Sequence, residues 1–198
     1  MTSTPQEPML DRRAVVKRLL AASPEALVVT GLGSAAYDVF AAGDRPENFY
    51  LWGAMGGAAA IGLGLALAQP SRSVLVITGD GEQLMGIGAL ATIGAQQPGN
   101  LSIVVLDNGH FAETGMQASH TRLGTNLIEV ARACGIRRCE AVTSLESVDR
   151  LGALVNAREG CLFARIAIAA DDVARALPPR DGAFLKNRFR GTLKLQPF

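Results

Sequence analysis

The chain has 198 residues, 48% hydrophobic and 19% charged, and its 19 Lys and Arg against 18 Asp and Glu give a formal charge of +1. That length and apolar content support one domain with a substantial core and exclude a disordered chain. The charge balance excludes a basic footprint for nucleic acid or an anionic membrane, so any bound anion must be held by local groups.

In chain order, residues 1–9 read as a flexible tail. Residues 11–22 have helical spacing, with Val15, Val16, Leu19 and Leu20 on one side. ALVVT (26–30) is a short apolar strand, 34–42 a helix and 48–52 a second strand. A helix of small residues follows at 56–68, then a strong strand, SVLVIT (73–78). Residues 83–95 read as a helix and LSIVVL (101–106) as another strong strand. The polar loop 108–125 is longer than a compact domain usually carries without a function. Asn126 caps a helix reaching 134, and 138–142 is a weak strand. Residues 144–158 form a helix with a partial capping box from Ser144 to Ser147, and CLFARIAI (161–168) is the last strand. The polar, proline-bearing segment 170–198 is a C-terminal extension, read as a surface for a partner.

Residues 51–68 are uncharged over 18 positions, the lower edge for a membrane span. Five glycines within them, and Pro70 just after, favour a buried, tightly packed helix instead. Strands and helices alternate, and most strands are continuously apolar, as in parallel sheets covered on both faces. The expected fold is α/β: a single doubly wound domain over 1–198, with a mostly parallel six-stranded sheet and helices on both faces. Cys134, Cys139 and Cys161 are odd in number and lack CxxC spacing, which argues for core thiols rather than disulfides, zinc or an iron–sulfur cluster. MTSTPQEPMLDRR has no apolar signal core, so a cytoplasmic location is expected.

Two turns bear on chemistry. Gly79-Asp80-Gly81 ends one strong strand and Asp107-Asn108-Gly109 ends the next. Taken singly, each is a common turn. Together they are separated by residues 82–106, room for one helix and one strand, so on neighbouring parallel strands Asp80 and Asn108 would face one crevice. Gly79 and Gly81 let a ligand approach the backbone, and the helix beginning near Glu82 points its N-terminus at the same place. A carboxylate, an amide oxygen and a phosphate together suit Mg²⁺.

This pattern resembles the thiamine-diphosphate motif: GDG, a helix and strand, then an Asn pair, whose first member is Asp107 here and whose second is kept as Asn108. NFYLWGAMGGAAAIGLGLALAQPSRSVLVITGDG is similar to the matching block of thiamine-diphosphate-dependent 2-oxoacid decarboxylases. The likeness runs from RRAVVKRLL through VLDNGHFAETGMQ to FLKNRFRGTL. Within the family it points to sulfopyruvate decarboxylase β subunits and the C-terminal half of phosphonopyruvate decarboxylases. The resemblance implies a diphosphate-binding (PP-type) domain in which Asp80 and Asn108 bind Mg²⁺ through side chains and His110 through its carbonyl. It further implies that Gly53, Ala54, Met55, Gly79, Asp80, Gly81, Glu82, Asn108, His110 and Phe111 contact thiamine diphosphate. Met55 would prop the cofactor into its bent shape, and the Gly53 carbonyl would meet the aminopyrimidine.

His110 is also the candidate catalytic residue, an imidazole able to move protons, with His120 a second one in the loop. Thr114, Gln117 and Arg122 are weaker substrate-side candidates. Glu82 departs from the small residue, often Ser, that is common after GDG. AETGMQASHT departs from a loop closer to STGGQPT, so Glu113 and Met116 leave the 2-oxoacid open. In the family the Glu that acts on the aminopyrimidine lies on a separate pyrimidine-binding domain. The implied assembly is a hetero-oligomer whose partner subunit supplies that Glu, with self-association of the lone chain, a small 2-oxoacid as substrate, and no nucleic-acid or membrane partner. Two alternatives are a 2-oxoacid:ferredoxin oxidoreductase β subunit, which shares a TG-Q loop but usually carries cluster cysteines, and a non-catalytic thiamine-diphosphate-binding module. A Rossmann dinucleotide site lacks its GxGxxG.

Overall fold

The computed structural model describes residues 9–196. Six strands, β1 (Leu27–Thr30), β2 (Asn48–Tyr50), β3 (Val74–Gly79), β4 (Leu101–Asp107), β7 (Arg138–Val142) and β8 (Leu162–Ala167), form one sheet in the order β2-β1-β3-β4-β8-β7. Every pairing in it is parallel. A separate antiparallel pair, β5 (His110–Phe111) with β6 (Gln117–Ala118), stands in the loop after β4. The helices are α1 (Arg12–Ala22), α2 (Ser34–Ala41), α3 (Ala58–Ala68), α4 (Asp80–Met85), α5 (Ala89–Gln96), α6 (Leu127–Ala133), α7 (Leu145–Ala157) and α8 (Gly182–Thr192).

The strand period of two divides the core. Leu75 and Ile77 of β3 and Val104 and Leu106 of β4 join a cluster with α1, α2 and α7. Val74 and Val76, with Leu101, Ile103 and Val105, join the opposite cluster with α3, α5 and α6. Both faces are covered, so these strands are apolar at every position. Each such fully buried side chain contributes about 1.5–3 kcal/mol. After β2 the chain crosses back over β1 to lay down β3, so the topological switch lies between β1 and β3. Ligands of open α/β sheets bind at such points, outside the strands' carboxyl ends.

The caps expected at Asn126 and Ser144 are present, each accepting from backbone N–H groups of the following helix. Several expectations need correction. The helix expected over 83–95 is two, α4 and α5, and α4 starts at Asp80 itself. The break falls at Gly86, where a Cβ would lie 2.1 Å from the Gly56 carbonyl oxygen: the two backbones touch there and low helix propensity lets the chain turn. The loop over 108–125 contains the β5–β6 hairpin. The extension folds back on this chain, with Leu185 and Phe189 of α8 in the core. The glycine-rich helix is not wholly buried: α3 hides Ala58, Ala59, Gly62, Leu63 and Ala66 but exposes Ile61 and Leu67. Among the described residues no helix is long and apolar enough to cross a membrane. The tail expected at 1–9 lies, except for Met9, outside the described residues.

Candidate functional site

β3 and β4 are adjacent, pairing Gly79 with Leu106, so their ends bring Asp80 and Asn108 to one crevice. Its lining comes from three strand ends: Leu32, Ser34 and Ala35 after β1, residues 79–82 after β3, and residues 108 and 110–114 after β4, with Met55 at one side. The crevice therefore sits at the β1/β3 switch. A Cβ on Gly79 would enter open space, so the ligand side of this turn is unobstructed.

Asp80 is 2% exposed. Ser119 Oγ donates to Asp80 Oδ2 in a short contact, and Thr121 Oγ1 lies 3.2 Å from the same oxygen. Thr121 Oγ1 also lies 2.8 Å from Asp107 Oδ1 and 2.8 Å from Ser119 Oγ. Two hydroxyl protons thus serve four oxygen–oxygen contacts, so the neighbours do not neutralise the carboxylate. Asp107 has its own cation, with Arg165 Nε donating to Oδ2 at 2.6 Å. Asp80 pairs with no Lys or Arg among the described residues. Burial, and then the charge of Asp107, push its carboxyl above the usual range, against the Ser119 and Thr121 bonds. A buried carboxylate in this state is a site for a cation.

The Asn108 side chain turns its own loop. Its Oδ1 accepts from His110 N at 2.9 Å. His110 Nδ1 lies 2.7 Å from the Asn108 carbonyl oxygen. A carbonyl only accepts, so the neutral ring carries its proton on Nδ1 and leaves Nε2 as an acceptor.

Glu82 also lines the crevice, yet its carboxylate is engaged elsewhere. One oxygen accepts from Leu32 N at 3.0 Å and the other from Ala58 N, at the start of α3, at 3.4 Å. Burial pushes its carboxyl up, opposed first by the Thr78 hydroxyl and then by the backbone N–H groups. The residue clamps the loop after β1 to the loop carrying Met55. Gly31 makes room for it: a Cβ there would lie 1.8 Å from Glu82 Oε2.

Of the residues singled out from the sequence, Met55, Gly79, Asp80, Gly81, Glu82, Asn108, His110 and Phe111 line the crevice. Gly53 and Ala54 do not, although Ala54 holds φ +56°, an unusual value for a residue with a Cβ, in the turn before Met55. His120 lies outside and meets the Phe111 ring edge-on at 6.2 Å. Thr114 is in the lining, whereas Gln117 and Arg122 are not. Sequence reasoning missed Ser119, Thr121 and Arg165. Their only signal was a run of hydroxyls late in the loop and one Arg in an apolar strand.

The residues fit a metal-bound diphosphate. No cluster of three or more His, Cys, Asp or Glu among the described residues would hold a metal by itself. A buried carboxylate sharing a crevice with an Asn side chain offers oxygen donors of the kind a Mg²⁺ would take if a phosphate supplied further ligands. Fold and site together define a class: doubly wound α/β domains whose switch-point crevice joins a Gly-Asp-Gly turn to an Asp-Asn-Gly turn. Within that class the chain belongs to the thiamine pyrophosphate enzymes, residues 32–164 matching the model of the C-terminal TPP binding domain. Thiamine pyrophosphate is thiamine diphosphate.

The chain is 40% identical over 190 residues to the phosphonopyruvate decarboxylase of Streptomyces viridochromogenes, covering 94% of this chain and 47% of that protein. It is 38% identical over 160 residues to the sulfopyruvate decarboxylase subunit beta of Methanothermobacter thermautotrophicus, covering 81% and 83%. It thus spans about half the length of the phosphonopyruvate decarboxylases it matches. The thiamine diphosphate-dependent 4-hydroxybenzoylformate decarboxylase of Rhodococcus jostii shares the fold, with a TM-score of 0.68 over 87% of this chain and 35% of that one at 19% identity.

Proposed function

We propose that this chain is the diphosphate- and Mg²⁺-binding half of a thiamine-diphosphate-dependent decarboxylase acting on a small 2-oxoacid of the sulfopyruvate or phosphonopyruvate kind. The observation that carries the reading is Asp80: a buried carboxylate with no cation partner among the described residues, one strand from Asn108, on a crevice at the switch point. Asp80 supplies the charged ligand for Mg²⁺, and Asn108 Oδ1 and the His110 carbonyl supply neutral ones. Ser119 and Thr121 fix the Asp80 carboxylate by holding Oδ2. The open side of Gly79 admits the diphosphate. Bound there, the cofactor supplies the electron sink for loss of CO₂ from a 2-oxoacid. Met55, at the side of the crevice, is its prop, and His110, which lines the crevice with Nδ1 on the Asn108 carbonyl, takes or returns a proton through Nε2. The Glu that acts on the aminopyrimidine comes from a pyrimidine-binding unit outside these residues. Similarity to proteins named as beta subunits favours a separate partner chain.

The test is to co-purify the chain with a pyrimidine-binding partner and to measure CO₂ release from a panel of 2-oxoacids with Mg²⁺ and thiamine diphosphate. Release that requires both chains and is lost when that partner's Glu is replaced supports the reading. A complex that binds the cofactor and releases no CO₂ from any 2-oxoacid overturns it.

A further inference from the structure

Among the described residues the crevice lining carries three carboxylates, Asp80, Glu82 and Glu113, and no Lys or Arg. A substrate with two acid groups therefore needs a cation from beyond the lining. Arg122 is not among the lining residues, and its aliphatic stem lies along Gly109. The segment between β8 and α8 is tied down beside the residues that follow β1, β2 and β4. Arg13 Nη2 donates to the Ala174 carbonyl at 2.5 Å, and Arg13 is itself held by the buried Asp38. Further along, Trp52 Nε1 donates to the Pro179 carbonyl at 2.7 Å and Arg180 lies over the Trp52 ring at 5.0 Å.

Between these two anchors stands Arg175. Its Nη2 is 3.4 Å from Glu113 Oε2, and its guanidinium lies over the Tyr37 ring at 6.0 Å. Glu113 lines the crevice and is confined on its other side, since a Cβ on Gly33 would lie 3.0 Å from it. The Arg175 side chain is 62% exposed, so this ion pair is long, solvent-screened and weak. A guanidinium offers two parallel N–H groups to a phosphonate or sulfonate, a stronger arrangement than its present contact.

We propose that Arg175 is a specificity residue: it reads the second acid group of a dianionic 2-oxoacid by exchanging Glu113 for the substrate. This rests on the function proposed above. Glu113 then acts as a competitor that keeps the cation at the mouth and sets the cost of recruiting it.

Two measurements separate this inference from the reading beneath it. In the first, phosphonopyruvate is titrated into the full chain without cofactor, with Trp52, its single tryptophan, as the fluorescent reporter. Arg175→Gln should weaken binding about tenfold, Arg175→Lys by less, and Glu113→Gln should strengthen it. In the second, kcat/KM for phosphonopyruvate relative to pyruvate is measured in the complex. That ratio should fall about tenfold in Arg175→Gln, through KM, and rise in Glu113→Gln. An unchanged ratio, or both variants moving it in the same direction, overturns the proposal. If the wild-type complex decarboxylates nothing, the proposed function fails, and the binding titration decides the role of Arg175 alone: affinity that is undetectable, or equal with and without Arg175, overturns it.

Discussion

Asp80 and Glu82 are two residues apart, and burial pushes both carboxyls up, yet their surroundings give them different work. Asp80 has hydroxyl partners on one oxygen and no cation; Glu82 is spent on two backbone N–H groups. Asp80→Ala is expected to abolish Mg²⁺-dependent binding of thiamine diphosphate by the assembled complex while leaving the circular dichroism spectrum intact. Asn108→Ala, which removes a neutral ligand, and Ser119→Ala, which frees the carboxylate to swing, should each cost on the order of tenfold. Calorimetric titration is the check, and wild-type affinity in Asp80→Ala would exclude the assignment. Glu82 makes a different prediction. Gly31→Ala should destabilise the chain by about 2 kcal/mol or more, because its Cβ displaces a buried carboxylate. In a Glu82→Ala background the same change should cost much less, giving a coupling energy of about 1–3 kcal/mol in a urea-denaturation cycle. Additive effects would mean that the two residues do not share the space.

At the level of elements, β8 closes one side of the second core with Cys161 just before it. Burial pushes the Cys161 thiol up from its ordinary value to about 12. The native chain therefore keeps this proton where the unfolded chain loses it. The stability this contributes is whole below pH 9 and declines as pH rises from 9 towards 12. Denaturation midpoints should fall from pH 8 to pH 10.5, with a shallower fall in Cys161→Ala. At pH 8 a thiol reagent should label the half-buried Cys134 and Cys139 before Cys161. Elements like β3, β4 and β8 were legible because a strand covered on both faces has to be apolar throughout. The break between α4 and α5 was not, since it depends on the Gly56 backbone lying against Gly86, thirty positions away. The two-residue strands β5 and β6 carry no period to read, and α8 buries only Leu185 and Phe189 against a polar remainder. The site divides the same way. Asp80 and Asn108 announce themselves at strand ends, whereas Ser119 and Thr121 reach Asp80 only through the folded path of the loop.

Across the whole molecule, one flank is short of charge. Residues 51–71 and 83–106 contain no Asp, Glu, Lys or Arg. From them Met55, Ile61, Leu67 and Met85 stand exposed at 39%, 38%, 53% and 64%. An uncharged flank that includes one wall of the crevice is unusual for a monomer in water. The chain alone is expected to release no CO₂ from any 2-oxoacid with Mg²⁺ and thiamine diphosphate present. It should also self-associate with rising concentration in sedimentation velocity. Adding the pyrimidine-binding partner should restore turnover and replace self-association with a defined mixed complex. Robust decarboxylation by this chain, free of a second protein by mass spectrometry, would contradict the half-site architecture.

The fit of Glu82 against Gly31 also constrains the order in which such a sequence can change. With Glu at position 82, a side chain at 31 would overlap its carboxylate; with a small residue there, the Thr78 hydroxyl at 2.9 Å is the obstacle that remains. The overlap predicts that glycine at 31 precedes the carboxylate at 82, and that the carboxylate is lost before 31 gains a side chain. The two positions form a one-way step, and relatives that carry Glu after GDG should carry glycine at the matching place after β1.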